Sequence, residues 1–467
     1  MSSSRRSSSS SMTGPSSPLI GPELVLVNDA DSPNEELDFS SDDELSDDFA
    51  AQPDRLYASV IPPLSPMLIL LYLSIPYLKL GPMFLPTSDT PLSHSIPTLL
   101  ICASFATFTR ELWYLLARYL RKMDIEEIVL DVFARGSDKM RTRLLLRAIV
   151  RAGTLTMRVL LASVSLRVSV DALLPLVPAH SPPLARGLLT ATVALRIIYA
   201  TWLSFLAYLT WLGAVSYAHV KGTLSTDLHW QRPGVLWQGI TSTAFVFSSS
   251  WTIPLYASLR SSVPPTTTKR RRRRSFKILI AASVAITVAL VLPLCVFASS
   301  SNESDNPEQG VIALISISSA TNLILTIPAI LITVPPTPLP YAVRRLNPNI
   351  SKIIIYAITT GLSVLPRGAT VVLGDLLLIL SLLSTYVLPA FLHITVHYFK
   401  RPLSIVLPTS ATRTGDGEGD ELLQRKERSL QRRRLGRRVF WDAVSWVSVF
   451  IGAGGSAWAI GRVLRQW

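Results

Sequence analysis

Cysteine is almost missing from this chain. Cys102 and Cys295 are the only two in 467 residues and both lie in or beside apolar runs, so neither a disulfide framework nor a cysteine metal quartet is available. Charge is sparse, with 16% of residues charged against 49% hydrophobic. Catalytic constellations are missing at membrane depth, where there is no HExxH, no pair of aspartates and no Ser/His arrangement, and the chain is not read as an enzyme. Gly452-Ala453-Gly454-Gly455 is no nucleotide loop, because no strand precedes it and no Lys-Ser/Thr follows. The opening MSSSRRSSSSSMTGPSSP lacks the apolar stretch of a cleavable signal, so the first membrane helix is expected to direct insertion.

What is present is a series of apolar runs near the roughly 20-residue length that crosses a bilayer, which makes this an all-α polytopic membrane protein. The net charge of +14 does not point to nucleic acid, because the basic residues cluster between the apolar runs, where a positive-inside bias puts them. Residues 1–62 read as a disordered, Ser-rich then acidic cytosolic tail with too few apolar residues to offset the ordering entropy. Residues 63–399 read as the transmembrane domain, with basic cytosolic loops at 118–151 and 260–276. The 118–151 segment carries nine basic residues, with apolar Ile128, Leu130, Val132 and Phe133 suggesting interfacial helix. A basic linker at 400–438 holds eleven more, and 439–467 carries the last span, whose glycines suit close helix packing.

Lys269 to Arg274, KRRRRR, is the strongest cytosolic marker. An even number of crossings must separate it from 118–151. Thr154–Val177, Thr201–Val220 and Gly234–Leu259 supply three, so a short fourth span is expected at Pro183–Ile198. Counting the remaining runs gives about eleven crossings, with the amino terminus cytosolic and the Asn302-Glu303-Ser304 sequon outside or lumenal. Arg110 and Glu111, near the end of the second run, are expected to snorkel to the headgroups. Arg167 and Asp171, four apart on one helix face, are expected to form a structural ion pair. Asp375 and His393 read as interfacial anchors.

The remaining stretch, Gly234 to Leu259, is apolar enough to cross a bilayer, yet its middle carries Ser248, Ser249, Ser250, Trp251 and Thr252, with Pro254 just beyond. It is either a proline-kinked packing helix or one broken at mid-depth, as many transporters build their sites. Phe245-Val-Phe247-Ser-Ser-Ser250, followed by Tyr256 and Leu259, resembles the FxFxCH-then-tyrosine signature of the amino acid/auxin permease family. The polar run leading into IPAILITVPPTPLP and the later VLGDLLLILSLLSTYVLPAFLH fall in that family's order. The first span departs from the family's GxGILxLP, and only Gly81, Leu85 and Pro86 in LGPMFLP fit.

This resemblance implies a leucine-transporter-like 5+5 inverted repeat plus one extra carboxy-terminal helix, with helices one and six broken around the substrate. Gly81, Phe245, Phe247, Ser248, Ser249 and Ser250 would then line the substrate site. Ser318, Ser319, Thr321 and Asn322 would form a coupling-ion site or polar wall. The expected function is secondary active transport of an amino acid or similar small zwitterion across a vacuolar or other endomembrane, without a cofactor and coupled to a proton or sodium gradient. The competing reading is a non-transporting sensor or scaffold that kept the fold.

Overall fold

Every element in the described part of the chain is helical, as expected of runs whose backbone must satisfy itself in lipid. The computed structural model describes residues 64–86, 90–120, 122, 124–134, 140–176, 197–222, 236–237, 239–248, 252–256, 269–297, 309–332, 350–399 and 439–461. The tail 1–62, the short fourth span up to Arg196, Ser249, Ser250, the Asn302 sequon and the linker 400–438 lie outside the described residues.

In chain order the helices are α1 (Pro66–Ser74), α2 (Leu80–Met83), α3 (Leu92–Leu120), α4 (Ile125–Phe133), α5 (Met140–Leu173), α6 (Ile197–Val220) and α7 (Ile240–Val246). A single turn follows, α8 (252–256). Beyond it are α9 (Lys269–Phe297), α10 (Gln309–Ile332), α11 (Ile350–Ser363), α12 (Arg367–Leu382) and α13 (Leu388–Phe399). A π-helical turn, Leu383–Val387, joins α12 to α13, and α14 spans Val439–Gly461. Among the described residues seven helices are long and apolar enough to cross a membrane, with a shorter apolar helix at Ile353–Ser363. The chain is a multi-pass α-helical membrane protein.

Burial ranks these helices. The interrupted segment Pro66–Met83 is 67% buried, whereas α3 and α14 are each 28% buried. The main apolar core surrounds that first segment: Tyr77, Leu80 and Phe84 pack with Leu99 of α3, Trp211 of α6, Trp237, Phe247 and Leu377 of α12. The helix that is least regular is thus the most central.

The basic segment 118–151 resolves into two pieces. Asp124 caps the amphipathic α4 through the Glu126 amide. The basic residues Arg141, Arg143, Arg147 and Arg151 ride on α5 itself, which has 34 residues. At about 1.5 Å per residue such a helix is longer than the roughly 30 Å hydrocarbon layer, but α5, with its basic residues, is not among the seven helices apolar enough to cross a membrane. Glu126 clamps the two helices together, receiving Arg147 at 2.8 Å and Arg151 at 3.0 Å. At the other end of α5 the expected ion pair is present. Arg167 Nε donates to Asp171 Oδ2 at 3.0 Å and Arg167 Nη1 donates to the carbonyls of Ser363 and Leu365, closing the turn between α11 and α12.

Asp375 and His393 are not interfacial anchors. Asp375 is 3% exposed and accepts the Leu236 amide at 3.0 Å. His393 faces Asp442 of α14, Nε2 to Oδ1 at 3.5 Å. The last helix also stacks Trp441 on Phe108 at 4.9 Å and lays Gly452 directly on the Val387 side chain of the π-helical turn. Small residues let helices approach in lipid, where apolar burial alone drives little association. Gly452→Leu should therefore lower the melting temperature of the detergent-solubilised protein, with an overpacking cost of about 1–3 kcal/mol. Gly454→Leu, at a position with open space around it, should leave the melting temperature unchanged.

Candidate functional site

The first interruption follows from proline and from the helix's own ends. Ser65 caps α1 through the Leu68 amide and Pro66 opens it. Pro76 then has no N–H to return to the preceding turn. The chain narrows to a 3-10 turn over Ile75–Leu78, leaves helical geometry at Lys79 (φ −99°, ψ −124°) and restarts for one turn as α2. The second interruption begins after Val246. The Ser248 amide bonds Phe245 instead of Ala244, at 2.9 Å, which turns the chain out of the helix at 247–248, and a further helical turn is described at 252–256.

The two interruptions touch. A Cβ built on Gly81 would lie 2.8 Å from Val246 Cγ2, 2.9 Å from its Cα and 3.0 Å from its N, so only glycine permits this approach. Tyr77 packs on Phe247 with ring centroids 5.4 Å apart, and Trp237 contacts both Phe84 (5.4 Å) and Phe245 (4.4 Å).

Helix ends inside a bilayer leave carbonyls without amides, and each must find a donor. Three side chains from neighbouring helices supply them here. Arg110 Nη2 on α3 donates to the Leu73 carbonyl at 2.7 Å. Asn322 Nδ2 on α10 donates to the Leu78 carbonyl at 3.0 Å, while its Oδ1 accepts from Ser204 of α6 at 2.6 Å. Tyr386, in the π-helical turn, donates its hydroxyl to the Ala244 carbonyl at 3.1 Å, the acceptor released when Ser248 bonds elsewhere.

Arg110 corrects the sequence expectation. It does not reach the headgroups: it is 2% exposed, lies over the Tyr77 ring at 4.0 Å and donates Nη1 to Ser283 of α9 at 2.8 Å. The signal that would have found it is the apolar stretch that follows, Leu112 to Ala117, which continues α3 for ten residues beyond Arg110. The positive charge stands at the carboxy-terminal end of α1, where the helix dipole favours a cation.

The sequence-named residues divide. Gly81, Phe245 and Phe247 meet at the interruptions, and Ser248 is half-buried beside them. Asn322 joins them through Leu78. Its neighbours spend their hydroxyls on their own helix: Ser318 donates to Leu314 and Ile315, Ser319 to Ser316 and Thr321 to Ile317. Around the interruptions several buried polar atoms have no hydrogen-bond partner among the described residues, namely Tyr77 Oη, Arg110 Nε, Ser242 Oγ, Thr252 Oγ1 and Thr385 Oγ1. A separate cleft of about 180 Å³ between α5, α11 and α12 is lined by Arg167, Asp171 and Arg367 and shares no residue with this set.

Comparison with protein-family models gives no match for this chain, and comparison with curated proteins gives none either.

Two substitutions test the junction. Asn322→Leu leaves the Leu78 carbonyl without a partner and the Ser204 hydroxyl with only the backbone carbonyl of residue 322, at 3.4 Å, and should cost about 1–3 kcal/mol. Gly81→Ala should push the first interruption off Val246 at a similar cost. Both are read as lower melting temperatures, with Gly213→Ala, which meets nothing within 4 Å, as the neutral control.

Proposed function

We propose that the protein is a secondary active transporter of amino acids or related small zwitterions, binding its substrate where the interruption between α1 and α2 meets the one between α7 and α8. The observation that carries this reading is the contact of Gly81 with Val246, which brings the helix ends flanking the two interruptions together in the core, with Tyr77 packed on Phe247 beside it. Irregular backbone at membrane depth is tolerated where it is buried in protein or lines a cavity, and transporters use such pairs to hold substrate with freed backbone groups. The resemblance to the amino acid/auxin permeases supports the same placement. On that reading the helices form a 5+5 inverted repeat with α14 as the added helix, and a proton or sodium gradient drives uptake. The basic runs at 118–151 and 269–274 then mark the cytosolic side of an endomembrane such as the vacuole.

The second reading, a sensor or scaffold that does not transport, is favoured by the completeness of the carbonyl caps. Arg110, Asn322 and Tyr386 occupy acceptors that a substrate or coupling ion would otherwise meet. Uptake of a labelled amino-acid panel into proteoliposomes separates the two. The transporter reading expects gradient-dependent accumulation of at least one amino acid, with Ser248→Trp reducing it by about tenfold or more, equivalent to about 1.4 kcal/mol or more. If nothing accumulates under either gradient, the transporter reading fails.

A further inference from the structure

Arg110 carries a charge that the described protein does not balance. It lies ten residues from the end of α3, hence about 15 Å inside it and within the hydrocarbon zone. A guanidinium offers five N–H donors. Two described hydrogen bonds account for Nη1 and Nη2, to the Ser283 hydroxyl and the Leu73 carbonyl, and Nε has none. No described carboxylate lies within ion-pair distance of it. Directly against it the Tyr77 ring is fully buried, and its hydroxyl also lacks a partner. The adjoining π-helical turn, which packs on α3, holds the equally unpartnered Thr385 hydroxyl.

The missing partner has a definite chemistry. Arg110 can only donate and the tyrosine hydroxyl has its proton to give, so what is lacking is an acceptor. A buried cation is tolerable when an opposite charge and full hydrogen bonding accompany it. Nε together with the second hydrogen of a neighbouring Nη is the side-on fork that a carboxylate accepts in two parallel bonds. A group that can only donate, such as an ammonium, is excluded opposite the guanidinium, because Arg110 has no acceptor to offer it.

We infer that Arg110 and Tyr77 hold the anionic group of the ligand bound at the helix interruptions, a small acceptor-only anion that on the transporter reading is the carboxylate of the substrate. This deepens the proposed function and rests on it for the placement of the site. It assigns the substrate class: molecules that keep a carboxylate are taken and their amides and simple amines are refused. Arg110 thus has two duties, capping the Leu73 carbonyl and recognising the anion.

The test uses the full chain in detergent or nanodiscs and four probes in a common zwitterionic buffer: L-alanine, its amide, acetate and chloride. Wild-type protein should gain thermal stability with L-alanine or acetate and none with the amide. Tyr77→Phe keeps the ring under the guanidinium and should leave the ligand-free melting temperature unchanged while weakening carboxylate binding about tenfold. Arg110→Lys keeps a cation near Leu73 without the fork and should abolish the discrimination between L-alanine and its amide. In uptake, Tyr77→Phe should raise KM about tenfold at nearly constant kcat. Equal stabilisation by acid and amide, carboxylate affinity unchanged in both variants, or no response to any probe would each overturn the assignment. Stabilisation by chloride alone would overturn it too, because the anion would then be an inorganic ion and not part of the substrate. If amino acids accumulate with KM indifferent to Arg110 and Tyr77, the anion assignment fails while transport stands. If carboxylates bind in an Arg110-dependent way but nothing is taken up, the failure belongs to the transporter reading.

Discussion

Interrupting a helix inside a bilayer frees carbonyls, and the arrangement of this protein depends on the donors that meet them. In water such groups would turn to solvent. In lipid each unmet carbonyl costs several times what an ordinary hydrogen bond contributes, because nothing outside the protein replaces the lost amide. The interruptions at Ile75–Leu78 and after Val246 are therefore affordable only with Arg110, Asn322 and Tyr386 in place. Those three residues come from α3, α10 and the π-helical turn before α13, so satisfying the breaks also decides which helices surround them. Packing follows the same plan, with Tyr77, Phe84, Trp237 and Phe247 filling the space between the donors.

The π-helical turn has its own place in that plan. Wide turns inside α-helices gather at functional positions because they rotate one residue out of the helical register. Here the register change covers Leu383–Val387 and turns three neighbouring residues to three tasks. Tyr386 caps Ala244, Val387 seats Gly452 of the last helix, and Thr385 stays buried without a partner beside α3. A regular α-helix, with its fixed rotation of about 100° per residue, would spread these side chains differently. The last helix is thereby coupled to the same turn that closes the second interruption.

Much of this was legible from residues alone. Gly81, Pro82 and Pro86 announced a late interruption of the first span, and a serine run followed by Pro254 offered either a kink or a break in the second, because these residues cannot continue a helix or compete with it locally. Pro76, where the first interruption starts, was passed over. Arg167 and Asp171 gave their ion pair by spacing. The contacts between distant segments were not legible. Nothing in the pattern around Asn322 says that its amide reaches Leu78, 244 positions away. Arg110 was misread because its place near the basic end of the second run suggested snorkelling, although α3 continues for ten residues past it and neighbouring helices bury it. A charge flanked by apolar residues on both sides is a better guide to depth than one at a run's edge.

The caps also bear on how such a site would move. A donor fixed to a freed carbonyl is a latch, and the three latches here differ in what releasing them leaves behind. Tyr386 withdrawing from Ala244 strands one neutral hydroxyl and one carbonyl. Asn322 withdrawing from Leu78 keeps its bond to Ser204 through the other end of the amide. Arg110 withdrawing from Leu73 strands a cation in hydrocarbon, by far the worst case, unless an acceptor replaces the carbonyl at once. An anion held at Arg110 as proposed would stay with the guanidinium if the Leu73 carbonyl withdrew, and would thereby lower the barrier to separating α1 from α3. On the proposed function, a first helix held this way would be released only when the site beside it is filled, as a coupled carrier requires.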